Sequence, residues 1–117
     1  QAVREMLQLT AALGGTSDSV WGMPGVGDLY VTCQAGRNSR LGNALGRGLT
    51  YAQAKDGPLK GETVEGAELG VAVAPSIHGM IAAGTLEAKK VPLTLALLAA
   101  LTRDVPLEPP WSDLHRS

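Results

Sequence analysis

Gly25-Val26-Gly27-Asp28-Leu29-Tyr30-Val31-Thr32-Cys33-Gln34-Ala35-Gly36-Arg37-Asn38 is the stretch on which the reading of this chain turns. Its middle, Leu29 to Cys33, carries strand propensity, but nothing nearby supplies a second strand, and a lone strand has no ladder to complete. A helix is therefore expected. On a helix over 27–34, Asp28 and Thr32 stand four apart on one face. Arg37 and Asn38 follow across Gly36 at the start of the next helix, where free backbone amides and a guanidinium together make a ready site for a phosphate dianion. The plainer reading of that pair is an N-cap Asn beside a solvated Arg, and local pattern alone leaves both open.

Outward from this stretch the pattern is helical on both sides. Upstream, Val3, Met6, Leu7 and Leu13 recur at helical spacing and Gly14-Gly15 stops the helix near Leu13. Ser17, Asp18 and Ser19 are candidate caps for a short turn ending near Pro24. Downstream, Asn38 or Ser39 is expected to cap a helix with an apolar stripe of Leu41, Ala44 and Leu45 that ends at Gly46 to Gly48. Thr50 caps a short helix through Lys55, closed by Gly57-Pro58. After a polar linker at 57–63, a mainly apolar segment from Glu65 to Ala83 contains Pro75, which predicts a kink or two helices. Pro92 opens a further apolar helix over Leu93 to Thr102, and Pro106, Pro109 and Pro110 separate it from a short tail.

Composition agrees with an all-α domain. Of 117 residues, 44% are hydrophobic but only 3% aromatic, with no Phe, so the interior has to be filled by Ala, Leu and Val that let helices approach closely. A formal net charge of -1, with aromatics that do not interleave with basic residues, argues against nucleic-acid binding. No apolar run reaches the ~20 residues a membrane-spanning helix needs, and no signal peptide is recognisable. The expectation is a soluble, intracellular, cytoplasmic protein. Cys33 is the single cysteine, so no internal disulfide forms. The chain starts at Gln1, in the middle of a helical pattern with no cap before it, which predicts a fragment of a longer polypeptide, with residues 1–117 as one helical domain.

Several features are set aside. Gly25-Val26-Gly27 and Gly46-Arg47-Gly48 each lack the third glycine of a dinucleotide fingerprint, since Tyr30 and Tyr51 stand there, so no nucleotide-binding core is expected in this chain. His78 is read as a partly buried packing residue and His115 as part of a frayed tail. No second His or carboxylate cluster gives metal-ligand spacing, so no metal site is expected. Cys33 is read as a small buried apolar residue rather than a nucleophile.

In order and spacing, the stretch from Gly25 to Asn38 resembles the G-x-x-D-L-x-x-T-C-x-x-x-R-N signature of the glycerol-3-phosphate dehydrogenases. Thr63-Val64-Glu65-Gly66 is similar to the V-E-G turn of bacterial members, and weaker similarity runs through Val91-Pro92-Leu93-Thr94 to Leu114. The resemblance implies the all-helical C-terminal domain of the 6-phosphogluconate-dehydrogenase-like group, packed against an N-terminal Rossmann domain. It implies reversible hydride transfer between NADH or NADPH and dihydroxyacetone phosphate, giving sn-glycerol 3-phosphate for glycerophospholipid synthesis.

By position, Asp28 would orient a catalytic lysine and Thr32 would line the same pocket. Arg37 and Asn38 would bind the substrate phosphate, with Gly36 beside them. Arg37, Thr63 and Glu65 would contact the cofactor. The lysine and the cofactor domain would lie upstream of Gln1, so the chain alone is expected to be inactive. Gly36 departs from the serine common in bacterial members, with the expected loss of one hydroxyl to the phosphate, and the segment from Gly66 to Val91 is longer than usual. The choice between NAD and NADP and the presence of a homodimer stay open. Two other readings compete: a non-catalytic helical interaction or dimerisation module, and a related dehydrogenase domain for another small phosphorylated or carboxylated metabolite.

Overall fold

In a computed structural model that describes residues 1–114, every regular element among the described residues is helical. The element order is α1 (Ala2–Ala12), α2 (Ser17–Trp21), a π-helical turn (Met23–Gly27), α3 (Asp28–Gln34), α4 (Arg37–Gly46), α5 (Tyr51–Asp56), α6 (Glu65–Ala82), a 3-10 turn (Ala88–Lys90), α7 (Pro92–Arg103) and α8 (Trp111–Leu114). The fold is thus all-α, and Leu29 to Cys33 are helical despite their strand propensity. His115 lies outside the described residues.

The core has two apolar centres, both touching α6. The first packs Leu41, Ala44 and Leu45 of α4 with Ala54 of α5, Leu59 and Val64 of the linker and Ala67 of α6. The second packs Ala74 and Ile77 of α6 with Leu86, Val91 and Leu98. Leu59, Val64 and Val91 are fully buried, and burying a branched aliphatic of that size contributes roughly 1.5–3 kcal/mol each. Burial on both sides of Pro75 explains why α6 is a single helix rather than two: Ala67 lies before Pro75, Ala74 and Ile77 flank it in the core, and that packing offsets the proline's lost hydrogen bond and its crowding of the preceding turn.

Helix starts are handled in two ways. Thr50 caps α5 locally: its Oγ1 accepts the Gln53 N–H while the Gln53 side chain accepts the Thr50 N–H, a reciprocal capping box. By contrast α6 and α7 begin after Val64 and Val91, which have no side-chain acceptor. For α7 the missing acceptor is Glu5, the one buried residue of α1. Its carboxylate accepts the N–H of Leu93 at 2.8 Å, the N–H of Thr94 at 2.7 Å and the Thr94 hydroxyl at 2.6 Å, and also the Gln1 amide at 2.7 Å. A buried anion at the positive end of a helix is thereby fully partnered. At the other end of α7, Asp104 closes the helix in the left-handed region and its Oδ1 accepts the Ala52 N–H at 2.8 Å.

Four local expectations are corrected. Ser17, Asp18 and Ser19 do not cap α2; Thr16 in extended backbone precedes it without a side-chain cap, and Ser19 Oγ donates back to the Thr16 carbonyl. The cap of α4 is Gly36 rather than Asn38 or Ser39, because its backbone, at φ 109 and ψ 179, already turns the chain. His78 and Cys33 are exposed rather than packed; α3 buries none of its residues, so Cys33 has no core to enter.

Candidate functional site

The site begins at the turn from α3 into α4. Gly25 sets up the approach, since a Cβ there would lie 2.0 Å from the Val20 carbonyl oxygen, so only glycine lets the 23–27 turn close on α2. Asp28 is the first residue of α3 and is exposed; Thr32 follows one helical turn later and is half-buried. Ser39 Oγ donates to the Cys33 carbonyl at 3.4 Å and ties the start of α4 to the end of α3. Between them, Gly36 leaves the first amides of α4 without a side-chain cap, so the positive end of a ten-residue helix is open to an anion.

Arg37 and Asn38 occupy that first turn and reach the start of α6. Asn38 Oδ1 accepts the Gly66 N–H at 3.0 Å. This bond fixes the orientation of the amide, because Gly66 needs an acceptor, and it leaves the Asn38 NH2 group as a donor. Arg37 Nη2 stands 3.7 Å from Glu65 Oε1, with the two side chains 49% and 80% exposed. Such a long, solvated pair is worth under about 1 kcal/mol, so the guanidinium is held near Glu65 without being used up by it.

Gly66 is matched to this contact. A Cβ on it would lie 2.5 Å from Asn38 Oδ1 and 3.0 Å from Asn38 Cγ. The two sequence motifs therefore meet in space: Arg37-Asn38 from the first and Glu65-Gly66 from the second. Thr63 is exposed on the segment leading into α6, directly before the buried Val64. Among the described residues, no hydrogen bond or ion pair joins Asp28 or Thr32 to Arg37, Asn38, Thr63 or Glu65. What links the two groups is the α3–α4 turn.

Two supporting features were not foreseen from sequence. Arg40, one turn beyond Arg37, forms a two-oxygen ion pair with Glu62 and donates to the Pro58 carbonyl. Behind Asn38 and Gly66 opens an apolar groove of about 370 Å³ whose walls include Leu41, Leu45, Ala67 and Leu98. An arginine that pairs with a carboxylate 22 positions away has no local signature, and the groove exists only once α4, α6 and α7 are packed. No three His, Cys, Asp or Glu side chains cluster among the described residues. No described helix is long and apolar enough to cross a membrane.

The chemistry on offer is anion recognition with a polar neighbour: a guanidinium, an amide NH2, uncapped helix amides, and the Glu65 carboxylate beside Arg37. Residues 1–110 match the family described as the NAD-dependent glycerol-3-phosphate dehydrogenase C-terminus. Among curated relatives, a glycerol-3-phosphate dehydrogenase, NAD(P)+, of Caulobacter vibrioides is 38% identical over 89% of this chain and 29% of its own length. The protein of the same name from Halorhodospira halophila is 34% identical over 92% of this chain and 30% of its own. A glycosomal glycerol-3-phosphate dehydrogenase, NAD(+), of Trypanosoma brucei rhodesiense is 45% identical over 44% of this chain and 15% of its own. The chain thus spans less than a third of the length of these relatives. No solved structure matches it.

Proposed function

Since the chain belongs to the family of NAD-dependent glycerol-3-phosphate dehydrogenase C-terminal domains, we propose that it forms the substrate-binding half of an enzyme interconverting dihydroxyacetone phosphate and sn-glycerol 3-phosphate with NADH or NADPH. The observation that carries the reading is the meeting of Arg37 and Asn38, at the open amide end of α4, with Glu65 and Gly66 at the start of α6. Arg37 presents paired donors to phosphate oxygens, the Asn38 NH2 group adds a neutral donor, and the first-turn amides at Gly36 add the helix's positive end.

The nicotinamide cofactor supplies the hydride when bound. Thr63 and Glu65, both exposed, offer a hydroxyl and a carboxylate at its edge, and Arg37 balances charge between cofactor and substrate. This donor set suits contact from one side of a cleft and not a complete nucleotide site, so the main cofactor contacts fall to an N-terminal Rossmann domain of the same polypeptide. Exposed Trp21, Met23, Tyr30 and Val31, on the segment that carries Asp28 and Thr32, provide apolar surface for such a partner.

Hydride addition to the ketone builds negative charge on its oxygen, so a proton donor has to stand beside it. Asp28 is proposed to orient a lysine ammonium from the partner domain for that task, with Thr32 lining the same pocket. Anchoring the phosphate at Arg37 holds the carbonyl in register, so that binding energy far from the reacting carbon is turned into rate.

Substrate titration of the full-length polypeptide tests this. Arg37→Ala is expected to raise KM for dihydroxyacetone phosphate about tenfold to a hundredfold, the size of one lost charge-assisted contact, and to raise the cofactor KM far less. An unchanged substrate KM removes Arg37 from the phosphate site.

A further inference from the structure

The linker 57–63 delivers Thr63 and Glu65, yet it has little regular structure of its own. It is a series of turns in which Lys60 N–H bonds to Gly57 and Glu62 N–H to Leu59, with Gly61 in the left-handed region at φ 77. Leu59 and Val64 fix its two ends in the core, at 0% and 1% exposure. Between those anchors the segment is held by polar contacts. Arg40 Nη1 meets both carboxylate oxygens of Glu62 at 2.6 and 2.9 Å, and Arg40 Nη2 donates to the Pro58 carbonyl at 2.7 Å. The Lys55 ammonium donates to the Glu62 carbonyl from the other side.

One guanidinium thus grips the linker at both of its ends, and it does so from the helix that carries Arg37 and Asn38. A planar fork can satisfy a carboxylate and a carbonyl together, whereas an ammonium is a single point charge. We propose that Arg40 is a positioning residue for the cofactor side of the site: it sets the conformation of residues 58–63, so that Thr63 and Glu65 stand opposite Arg37 before any ligand arrives. The cofactor half of this proposal rests on the dehydrogenase reading above; the clamp itself does not.

The consequence is a cost moved from binding to folding. With the clamp intact the linker is already ordered, and with it removed each binding event has to order Thr63 and Glu65 anew. The loss falls on the ground-state affinity for the cofactor and leaves the chemical step alone. Arg40 is one turn beyond the substrate-binding pair and is already engaged by Glu62, so it is not itself a phosphate ligand.

Two measurements on the full-length polypeptide decide the matter. Amide hydrogen exchange of residues 59–63 is expected to speed up about tenfold in Arg40→Ala, as a local opening with one fewer closing contact, while Leu41, Leu45 and the middle of α6 keep their protection. In steady-state kinetics, Arg40→Ala is expected to raise the cofactor KM about threefold to tenfold with kcat within about twofold of wild type. Arg40→Lys should fall between the two, and Arg47→Ala, at the exposed far end of α4, serves as the control that moves neither.

Exchange of 59–63 that is unchanged in Arg40→Ala overturns the clamp. A fall in kcat with an unchanged cofactor KM overturns the positioning role. A wild-type protein that turns over no dihydroxyacetone phosphate removes the dehydrogenase reading and the cofactor half with it, and the exchange result still decides the clamp.

Discussion

Asn38 Oδ1 accepts the backbone N–H of Gly66 at 3.0 Å across 28 positions of sequence, which makes Asn38 the N-cap of a helix to which it does not belong. Gly66 is the second residue of α6, the place where a capping oxygen normally bonds. Losing a cap costs about 1 kcal/mol, so Asn38→Ala should destabilise the protein by about that much. Gly66→Ala should cost about 1–2 kcal/mol, because its Cβ displaces the Asn38 side chain that it would otherwise meet at 2.5 Å.

The two substitutions break the same bond, so they should not add. In the double variant Asn38→Ala, Gly66→Ala the new methyl has room, and alanine is favoured over glycine in a helix by up to about 1 kcal/mol. Urea unfolding of all three variants should place the double variant no lower than Gly66→Ala alone. Strict additivity would show that the contact carries no energy.

Glu5 does for α7 what Asn38 does for α6, and from a buried position. Glu5→Ala strands the Leu93 and Thr94 amides and the Thr94 hydroxyl, all of which now bond to it. With about 1–3 kcal/mol for each buried donor left unpaired, partly recovered by water, the expected loss is about 3–5 kcal/mol. Glu5→Gln keeps one accepting oxygen and should lose about half of that. The midpoint of chemical denaturation reads both, and a Glu5→Ala variant within about 1 kcal/mol of wild type would refute the role.

These two caps also explain which parts of the fold could be read from sequence. Helices defined by short-range pattern are legible: the Thr50 cap, Pro92 at the first turn of α7, and the helical state of Leu29 to Cys33, for which the sequence supplies no partner strand; the Gln53 half of the Thr50 capping box is the structure's addition. What local pattern does not show is the caps and clamps made by residues far apart. Glu5 sits unmarked among the apolar positions of its helix, although the start of α7 at Val91 has no acceptor and so demands one from elsewhere. Local pattern assigns Asn38 or Ser39 to the start of their own helix, whereas the Asn38 side chain serves the start of α6 at Val64, which lacks a cap of its own. The resemblance motifs supplied Arg37, Asn38, Thr63 and Glu65 as a set, and the Arg37–Glu65 and Asn38–Gly66 contacts bring those segments together. Of the two outcomes expected at Pro75, a break into two helices does not occur, because α6 is buried on both sides of it, which no window of sequence displays.

Gly36 offers the sharpest separation of chemistry from backbone. A serine at this position adds a hydroxyl for the phosphate, but φ 109 with ψ 179 belongs to a region that is essentially glycine's alone. Nothing lies within 4 Å of a Cβ built there, so any penalty comes from the backbone and not from crowding. Gly36→Ser and Gly36→Ala should therefore lose the same stability, about 1–3 kcal/mol. If the chain relaxes instead, the turn that presents Arg37 shifts, and KM for dihydroxyacetone phosphate should rise in both variants alike. A serine variant that keeps wild-type stability and binds the phosphate more tightly than the alanine variant would show that the turn accepts a side chain, and the backbone account of this glycine would fail.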